Sequence, residues 1–130
     1  MPTLFTRIIN GELPGRFVYT DDQAVAFLSI APLNPGHVLV VPRAEVDQWT
    51  DADPALMNHL MDVAHTIGNA AKKAFGAPRA GVIIAGMEVP HLHVHVFPVW
   101  SEGDFNFARA KQATDAELDD AAARLRAALG

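Results

Sequence analysis

Residues 91–97 read His-Leu-His-Val-His-Val-Phe, and this alternation of histidine with aliphatic residues is the feature that most constrains the fold. A period of two is typical of a β-strand, in which successive side chains point to opposite faces of a sheet. The pattern predicts a strand over residues 91–97, with three imidazoles on one face and Leu92, Val94 and Val96 in the core. Protonated imidazoles on one face of a strand repel one another, and the fold gains nothing from having three of them there. We therefore interpret the three histidines as functional residues.

The spacing of these histidines favours an anionic ligand over a metal ion. Same-face neighbours on a strand are separated by roughly 6.6 Å, which places His91 and His95 roughly 13 Å apart at the backbone. Zinc holds its nitrogen ligands at about 2.0–2.1 Å, and the chain has no cysteine to complete a site. A row of imidazoles suits a phosphate group, because one ring can attack while its neighbours donate hydrogen bonds. A metal-binding protein built on the row is an alternative that needs ligands from elsewhere in the chain.

Composition restricts the class of protein further. The chain has 130 residues, of which 50% are hydrophobic and 19% charged, and we expect one domain over residues 1–130. A net charge of −5 argues against a nucleic-acid polymer as partner. The sequence begins with no basic leader, and no apolar run approaches the roughly 20 residues of a membrane span. We therefore expect no membrane association and a cytoplasmic location.

Hydrophobic periodicity and breaker residues predict an α+β fold with a mostly antiparallel five-stranded sheet. A short amphipathic helix is predicted over residues 3–10, and a long helix over residues 54–75, opened by Asp53-Pro54 and closed by Gly76. A last helix begins at Thr114, with Glu117 at capping-box distance. The remaining predicted strands cover residues 17–20, 24–29, 37–41 and 81–85. His59 and His65 lie about 240° apart on the long helix, and we predict no catalytic role for them.

The run from His91 to Phe97 resembles the signature of the histidine-triad family, in which hydrophobic residues separate three histidines. Three further segments are similar to that family in the same order, namely residues 4–14, 26–32 and 35–43. The similarity covers roughly residues 3–100 and leaves a loop and the last helix over residues 101–130. The resemblance implies a HIT-like α+β fold, a homodimer whose sheet continues across the interface, and hydrolysis or transfer at the α-phosphorus of a nucleotide.

The resemblance also implies a role for each histidine. His93 would attack phosphorus and carry the nucleotidyl group as a covalent intermediate, which water then releases. His91 and His95 would flank the phosphate, and His37 would approach from a neighbouring strand. The implied substrates are nucleoside phosphoramidates or dinucleoside polyphosphates with an AMP-type nucleotide. No cofactor is required by this chemistry, although a divalent ion can assist a polyphosphate leaving group.

A nucleoside pocket is implied on the apolar residues that match the family. Its predicted members are Phe5, Ile8, Phe27, Leu28, Ser29, Ile30, Leu39, Glu88 and Val89. For Ile8 and Leu39, a place in the core is an equally good interpretation.

The chain departs from many relatives at two places. Ser29 stands where they carry an aspartate that accepts both ribose hydroxyls. Met87 and Glu88 occupy a shortened segment that is polar in those relatives. Exposure to solvent is the commoner place for a lone glutamate such as Glu88. The open alternatives are that Glu88 selects a cationic or amine-bearing leaving group or repels long polyphosphates. These departures support an alternative function, a nucleotide-binding sensor or scaffold with weak turnover. Trp100, Phe105 and Phe107 follow the motif and either cover the pocket or pack across a dimer, of which packing is the more frequent explanation for such aromatic residues. Trp49 is predicted to be structural.

Overall fold

Five antiparallel strands form one sheet in the computed structural model, which describes residues 2–130. The strand order is β1-β2-β3-β5-β4. The strands are β1 (Phe17–Thr20), β2 (Ala24–Leu28), β3 (Val38–Pro42), β4 (Arg79–Ile83) and β5 (Val94–Val99). The helices are α1 (Leu4–Ile9), α2 (Pro54–Phe75) and α3 (Asp115–Leu129). The predicted α+β class and antiparallel sheet are confirmed.

Helix boundaries follow their local signals. The Asp53 side chain accepts a hydrogen bond from the Ala55 amide and caps α2, while Gly76, at φ +64°, ends it in the left-handed conformation that favours glycine. Thr114 and Glu117 form the reciprocal capping box predicted for α3. These signals need no distant partner, and the sequence therefore locates both helices closely.

One face of the sheet carries the main core beneath α2 and α3. Leu60 and Ile67 of α2 and Leu125 of α3 are fully buried against it. Leu92, Val94 and Val96 belong to the same cluster, so the prediction that the aliphatic residues of the histidine segment face the core is confirmed.

The opposite face of the sheet carries the histidine side chains and a row of cross-strand neighbours. Cross-strand partners along this row are Phe17, Phe27, Leu39, His95 and Ile83. Helix α1 covers part of this face through Phe5, whose ring packs edge-on to Phe27 at a centroid distance of 5.5 Å.

The predicted strand over residues 91–97 is wrong at its beginning, because β5 starts at Val94. The Leu92 amide donates to the Val46 carbonyl, whereas the ladder with β3 begins only at the Val40–Val94 pair. His95 is therefore the only member of the triad within a strand. Strand β4 also begins earlier than predicted, because its ladder with β5 starts at the Arg79–Val99 pair.

His59 joins two parts of the fold. Its Nε2 lies 2.7 Å from Oδ2 of Asp21, and this contact ties α2 to the turn between β1 and β2. The side chain of His65 is exposed.

Within residues 2–130, no helix combines the length and the apolar character needed to cross a membrane.

Candidate active site

Four histidines converge on the sheet face opposite α2. The rings of His93 and His95 have centroids 4.9 Å apart, and those of His37 and His95 are 5.1 Å apart. His91, His93 and His37 are buried and His95 is half-buried. The structure thus brings together all four histidines that the sequence singled out.

Backbone carbonyls determine which nitrogens of the first two histidines carry hydrogen. Nδ1 of His93 lies 2.7 Å from the His91 carbonyl, and Nε2 of His91 lies 2.8 Å from the Pro42 carbonyl. A carbonyl only accepts, so both of these ring nitrogens are donors. In its neutral form His93 therefore keeps the lone pair on Nε2, which has no hydrogen-bond partner among the described residues. Nδ1 of His91 accepts from the Thr3 hydroxyl at 2.6 Å.

A backbone amide determines the hydrogens of the other two histidines in the same way. The Leu33 amide donates to Nδ1 of His37 at 3.0 Å. The hydrogen of neutral His37 is therefore on Nε2, which lies 2.9 Å from Nδ1 of His95 and donates to it. His95 is left with its own hydrogen on Nε2, so it can donate a hydrogen bond to a ligand.

Burial favours the neutral forms of His37, His93 and His95. Desolvation is the largest cause that lowers the pKa of His37 to about 3 and that of His95 to about 4, with neighbouring histidines adding to it. Burial also lowers the pKa of His93, against the opposing effect of its hydrogen bond to the His91 carbonyl. A neutral His93 retains the lone pair that a nucleophile needs.

Most of the predicted nucleoside pocket lies together beside these rings. Phe5 packs edge-on to His93 at a centroid distance of 4.9 Å. The apolar cluster around Phe5 contains Phe27 and Leu39, with Ile8 and Val89 packed against it. The apolar cluster therefore reaches the ring of His93 through Phe5.

Other predicted pocket residues lie apart from this cluster. Leu28 is in the main core on the other side of the sheet, because it follows Phe27 in β2 and points to the opposite face. Ile30 is 63% exposed in the following loop. The half-buried Ser29 accepts a hydrogen bond from the Ala31 amide at its Oγ. Glu88 is exposed in the bend before His91.

The structure places further residues near the site, and among them is Phe107, for which the sequence offered a place over the pocket or in a dimer contact. Thr3 holds His91, and the Phe107 ring packs edge-on to His95 at 5.0 Å. A cavity of about 120 Å³ is lined by residues 47–50, residues 84–86, Leu92 and His93. Trp49, predicted to be structural, is 52% exposed and lines this cavity. Thr3 and the residues that line the cavity lie far from the histidines in the sequence. No local sequence pattern links them to the histidines, and their proximity appears only in the folded chain.

No group of three or more His, Asp or Glu side chains within residues 2–130 is placed to hold a metal ion. His37 and His95 satisfy each other through a hydrogen bond instead.

Comparison with known proteins gives consistent results. Residues 10–101 match the HIT domain family model. An uncharacterized HIT-like protein of Methanocaldococcus jannaschii is 34% identical over 123 residues, covering 90% of this chain and 93% of the relative. The crystal structure of a hypothetical histidine triad nucleotide-binding protein from Sulfolobus tokodaii is 28% identical, with a TM-score of 0.82, covering 96% of this chain and 90% of that one. A zinc-bound histidine triad family protein from Mycobacterium smegmatis is also 28% identical, with a TM-score of 0.84, covering 97% of this chain and 91% of that one. The chain belongs to the HIT domain family.

Proposed function

We propose that this protein is a nucleotide hydrolase or nucleotidyl transferase that acts at an α-phosphorus through a covalent nucleotidyl-His93 intermediate. The observation that carries the proposal is the orientation of His93, whose Nδ1 donates to the His91 carbonyl while its Nε2 has no hydrogen-bond partner in residues 2–130. An oriented, neutral imidazole with a free lone pair is the arrangement required of a nitrogen nucleophile.

Two displacements at phosphorus complete the reaction. In the first, Nε2 of His93 forms a bond to phosphorus as the bond to the leaving group breaks, and the leaving amine or phosphate takes up one proton. In the second, a water oxygen bonds to phosphorus, the bond to Nε2 breaks, and the water gives up a proton. The products are a nucleoside monophosphate and the protonated leaving group, and His93 is regenerated.

The neighbouring histidines supply hydrogen bonds and protons for these steps. His95 presents an Nε2 hydrogen, since its Nδ1 accepts from His37. We assign to it donation to a phosphate oxygen and to the leaving group. His91 acts on His93 through its own carbonyl and is a positioning residue. Fixed donors of this kind stabilise the charge that develops at phosphorus.

The proposed substrates are nucleoside phosphoramidates or dinucleoside polyphosphates with an AMP-type nucleotide, and no cofactor is required. A divalent ion can assist the polyphosphate leaving group. The proposed assembly is a homodimer joined along β4, an edge strand whose only sheet neighbour among residues 2–130 is β5. An unpaired edge offers hydrogen-bonding groups to a second copy of the chain.

The test is a brief incubation of purified protein with adenosine phosphoramidate and with diadenosine polyphosphates, followed by product analysis and intact mass spectrometry. We expect AMP release and a nucleotidyl adduct on the wild type, and neither on His93→Ala. His65→Ala, which replaces an exposed histidine on α2, serves as the matched control and keeps wild-type rates. Turnover by His93→Ala at the wild-type rate would contradict the mechanism.

A nucleotide sensor is the second candidate, and Ser29 favours it. The Ser29 hydroxyl accepts from the Ala31 amide, and its single short group offers less to a ribose than a carboxylate does. Tight AMP binding without turnover of either substrate class would establish this function instead.

A further inference from the structure

A carboxylate outside the site, that of Glu45, is joined to the buried ring of His91 by a chain of short hydrogen bonds. Oε1 of Glu45 accepts from the Thr3 amide at 2.9 Å and from the Thr6 hydroxyl at 2.6 Å. Oγ1 of Thr3 in turn lies 2.6 Å from Nδ1 of His91. Glu45 is exposed and His91 is fully buried, so the contacts run from the surface of the protein to the triad.

Glu45 completes the N-terminal cap of α1 from another part of the chain. Thr3 is the N-cap residue, and its hydroxyl oxygen accepts from the Thr6 amide. In a capping box, the third residue of the helix carries a side chain that accepts from the N-cap amide. That third residue is Thr6 in α1, and Glu45 supplies the acceptor in its place. The hydrogen bonds from the Thr6 hydroxyl and the Thr3 amide lower the pKa of the Glu45 carboxyl and keep this acceptor ionised.

Helix α1 depends on such attachments for its position. It has only six residues, and a helix this short has little stability of its own in water. The Thr3 side chain belongs to the residue at which the helix begins, so its place relative to His91 is set by the groups that hold that residue. The contacts of Glu45 with Thr3 and Thr6 therefore fix the turn of α1 that reaches the triad.

The hydrogen of the Thr3 hydroxyl is assigned by His91. Nε2 of His91 donates to the Pro42 carbonyl, so Nδ1 of the neutral ring can only accept. The Thr3 hydroxyl has a single hydrogen and gives it to Nδ1 at 2.6 Å rather than to the Thr6 hydroxyl at 3.2 Å. The Thr6 hydrogen goes to Glu45, because a carboxylate has none to give. Each group in the chain of hydrogen bonds therefore has one defined role.

The segment that carries His91 and His93 depends on contacts of this kind, because β5 begins only after both residues. The Leu92 amide donates to the carbonyl of Val46, the neighbour of Glu45 in the sequence. The His91 carbonyl accepts from Nδ1 of His93 at 2.7 Å. A shift of His91 would move the acceptor that orients the proposed nucleophile, and a misplacement of about 1 Å can cost roughly 100-fold in rate.

We propose that Glu45 is a positioning residue for the nucleophile. It holds the first turn of α1, from which the Thr3 hydroxyl holds the ring of His91, and the His91 carbonyl in turn orients His93. Catalytic groups need supporting hydrogen bonds of this kind to stay in a productive geometry. The inference rests on the proposed function for its effect on rate, whereas the state of the His93 ring can be measured without a substrate.

The kinetic experiment compares kcat and KM for adenosine phosphoramidate in three variants. Glu45→Ala removes the acceptor and should lower kcat by roughly tenfold with KM nearly unchanged, because a misplaced nucleophile slows the chemical step. Glu45→Gln keeps an oxygen that accepts from the same donors and should stay within about threefold of the wild-type kcat. Glu12→Ala, the matched control, removes an exposed carboxylate whose Oε1 lies 3.9 Å from Nε of Arg7 in α1. It should keep kcat within about twofold of the wild type.

A double variant tests the route through Thr3. Thr3→Val removes the hydroxyl that donates to His91, so the loss of Glu45 then has little left to disturb. The kcat of Glu45→Ala/Thr3→Val should lie within about twofold of that of Thr3→Val alone. Losses that add fully in the double variant would overturn the route.

Nitrogen-15 NMR spectra of the imidazole rings test the inference without a substrate. The wild type should carry hydrogen on Nδ1 of His93, and Glu45→Ala should show a mixture of the Nδ1-H and Nε2-H forms. Glu45→Gln and Glu12→Ala should keep the wild-type spectrum. An unchanged His93 spectrum or an unchanged kcat in Glu45→Ala would overturn the inference. If the wild type turns over no substrate, the proposed function fails, and the ring spectra alone decide whether Glu45 positions His93.

Discussion

At the scale of single residues, the chemistry of this site depends on which nitrogen of each imidazole carries hydrogen. His93 points a lone pair from Nε2 because its other nitrogen donates to the His91 carbonyl. His95 points a hydrogen from Nε2 because its other nitrogen accepts from His37. The two adjacent rings therefore present complementary groups, a lone pair on His93 and a hydrogen on His95. These are the groups that the proposed attack on phosphorus and donation to oxygen require.

Ser29 is the residue that would contact the ribose in the proposed function. Ser29→Asp should introduce a charged acceptor at the end of β2 and raise the preference for ribonucleotides over deoxyribonucleotides by roughly tenfold, since hydrogen bonds to charged groups contribute about 1.5–3 kcal/mol. Dissociation constants for AMP and dAMP, measured by calorimetry, check the ratio. An unchanged ratio would place the ribose elsewhere.

Phe107 shields His95 from water. Its ring packs against His95, and burial is the largest cause of the lowered pKa of that histidine, about 4. Phe107→Ala should therefore raise the pKa of His95 toward 6.5, as followed by an NMR titration of the ring protons. Phe105→Ala is the matched control, because Phe105 packs on Phe97 instead. A His95 titration identical in Phe107→Ala and the wild type would argue against shielding by this ring.

At the scale of elements, the sequence predicts what local signals determine. Asp53, Pro54 and Gly76 define α2 because a cap, a fixed φ and a left-handed residue act within one turn of the helix. The start of β5 depends instead on the hydrogen bond between Leu92 and Val46. Two residues 46 positions apart leave no periodic signal, and the histidine pattern alone could not locate that boundary.

The same distinction applies to the candidate site. Alternation identified the three histidines of residues 91–97, and the resemblance added His37. The partners that orient the rings were not predictable, because Thr3 lies 88 positions from His91 and the Pro42 and Leu33 contacts involve backbone groups. The cavity beside His93 was missed for a related reason, since residues 47–50 and 84–86 meet only in the folded chain.

The capping box of α3 gives a prediction at this scale. Thr114→Ala removes the side-chain oxygen that accepts from the Glu117 amide and should lower the free energy of unfolding by about 1 kcal/mol. Thr114→Ser, which keeps the hydroxyl, should retain most of that stability. Urea denaturation followed by circular dichroism measures both. Equal stability of the alanine variant and the wild type would mean that the cap contributes nothing in this fold.

At the scale of the whole molecule, the buried histidines couple folding to pH. His37 and His95 have pKa values of about 3 and about 4 in the folded protein, against about 6.5 in an unfolded chain. Between these values the unfolded chain binds more protons, so stability rises with pH in this window. The contribution is fully present above about pH 6.5 and is lost as the pH falls toward 4.

Urea midpoints at pH 7, 6, 5 and 4 test this coupling. We expect the wild-type midpoint to fall steadily below pH 6.5, and the His37→Gln/His95→Gln double variant to show a clearly shallower slope whatever its absolute stability. His65→Gln, which changes an exposed histidine, should keep the wild-type slope. A double variant with an undiminished slope would assign the effect to other groups.

The hydrogen arrangement of the site is set mainly by the main chain, and this bears on how the protein can change over evolutionary time. The carbonyls of His91 and Pro42 and the amide of Leu33 orient three of the four rings, and side-chain substitution cannot remove a carbonyl. Only proline at position 33 would delete the amide. Side chains proposed to contact the ligand, such as Ser29, can therefore change without altering the groups that orient the histidine rings, and new substrates can be acquired while the proposed nucleophile is kept.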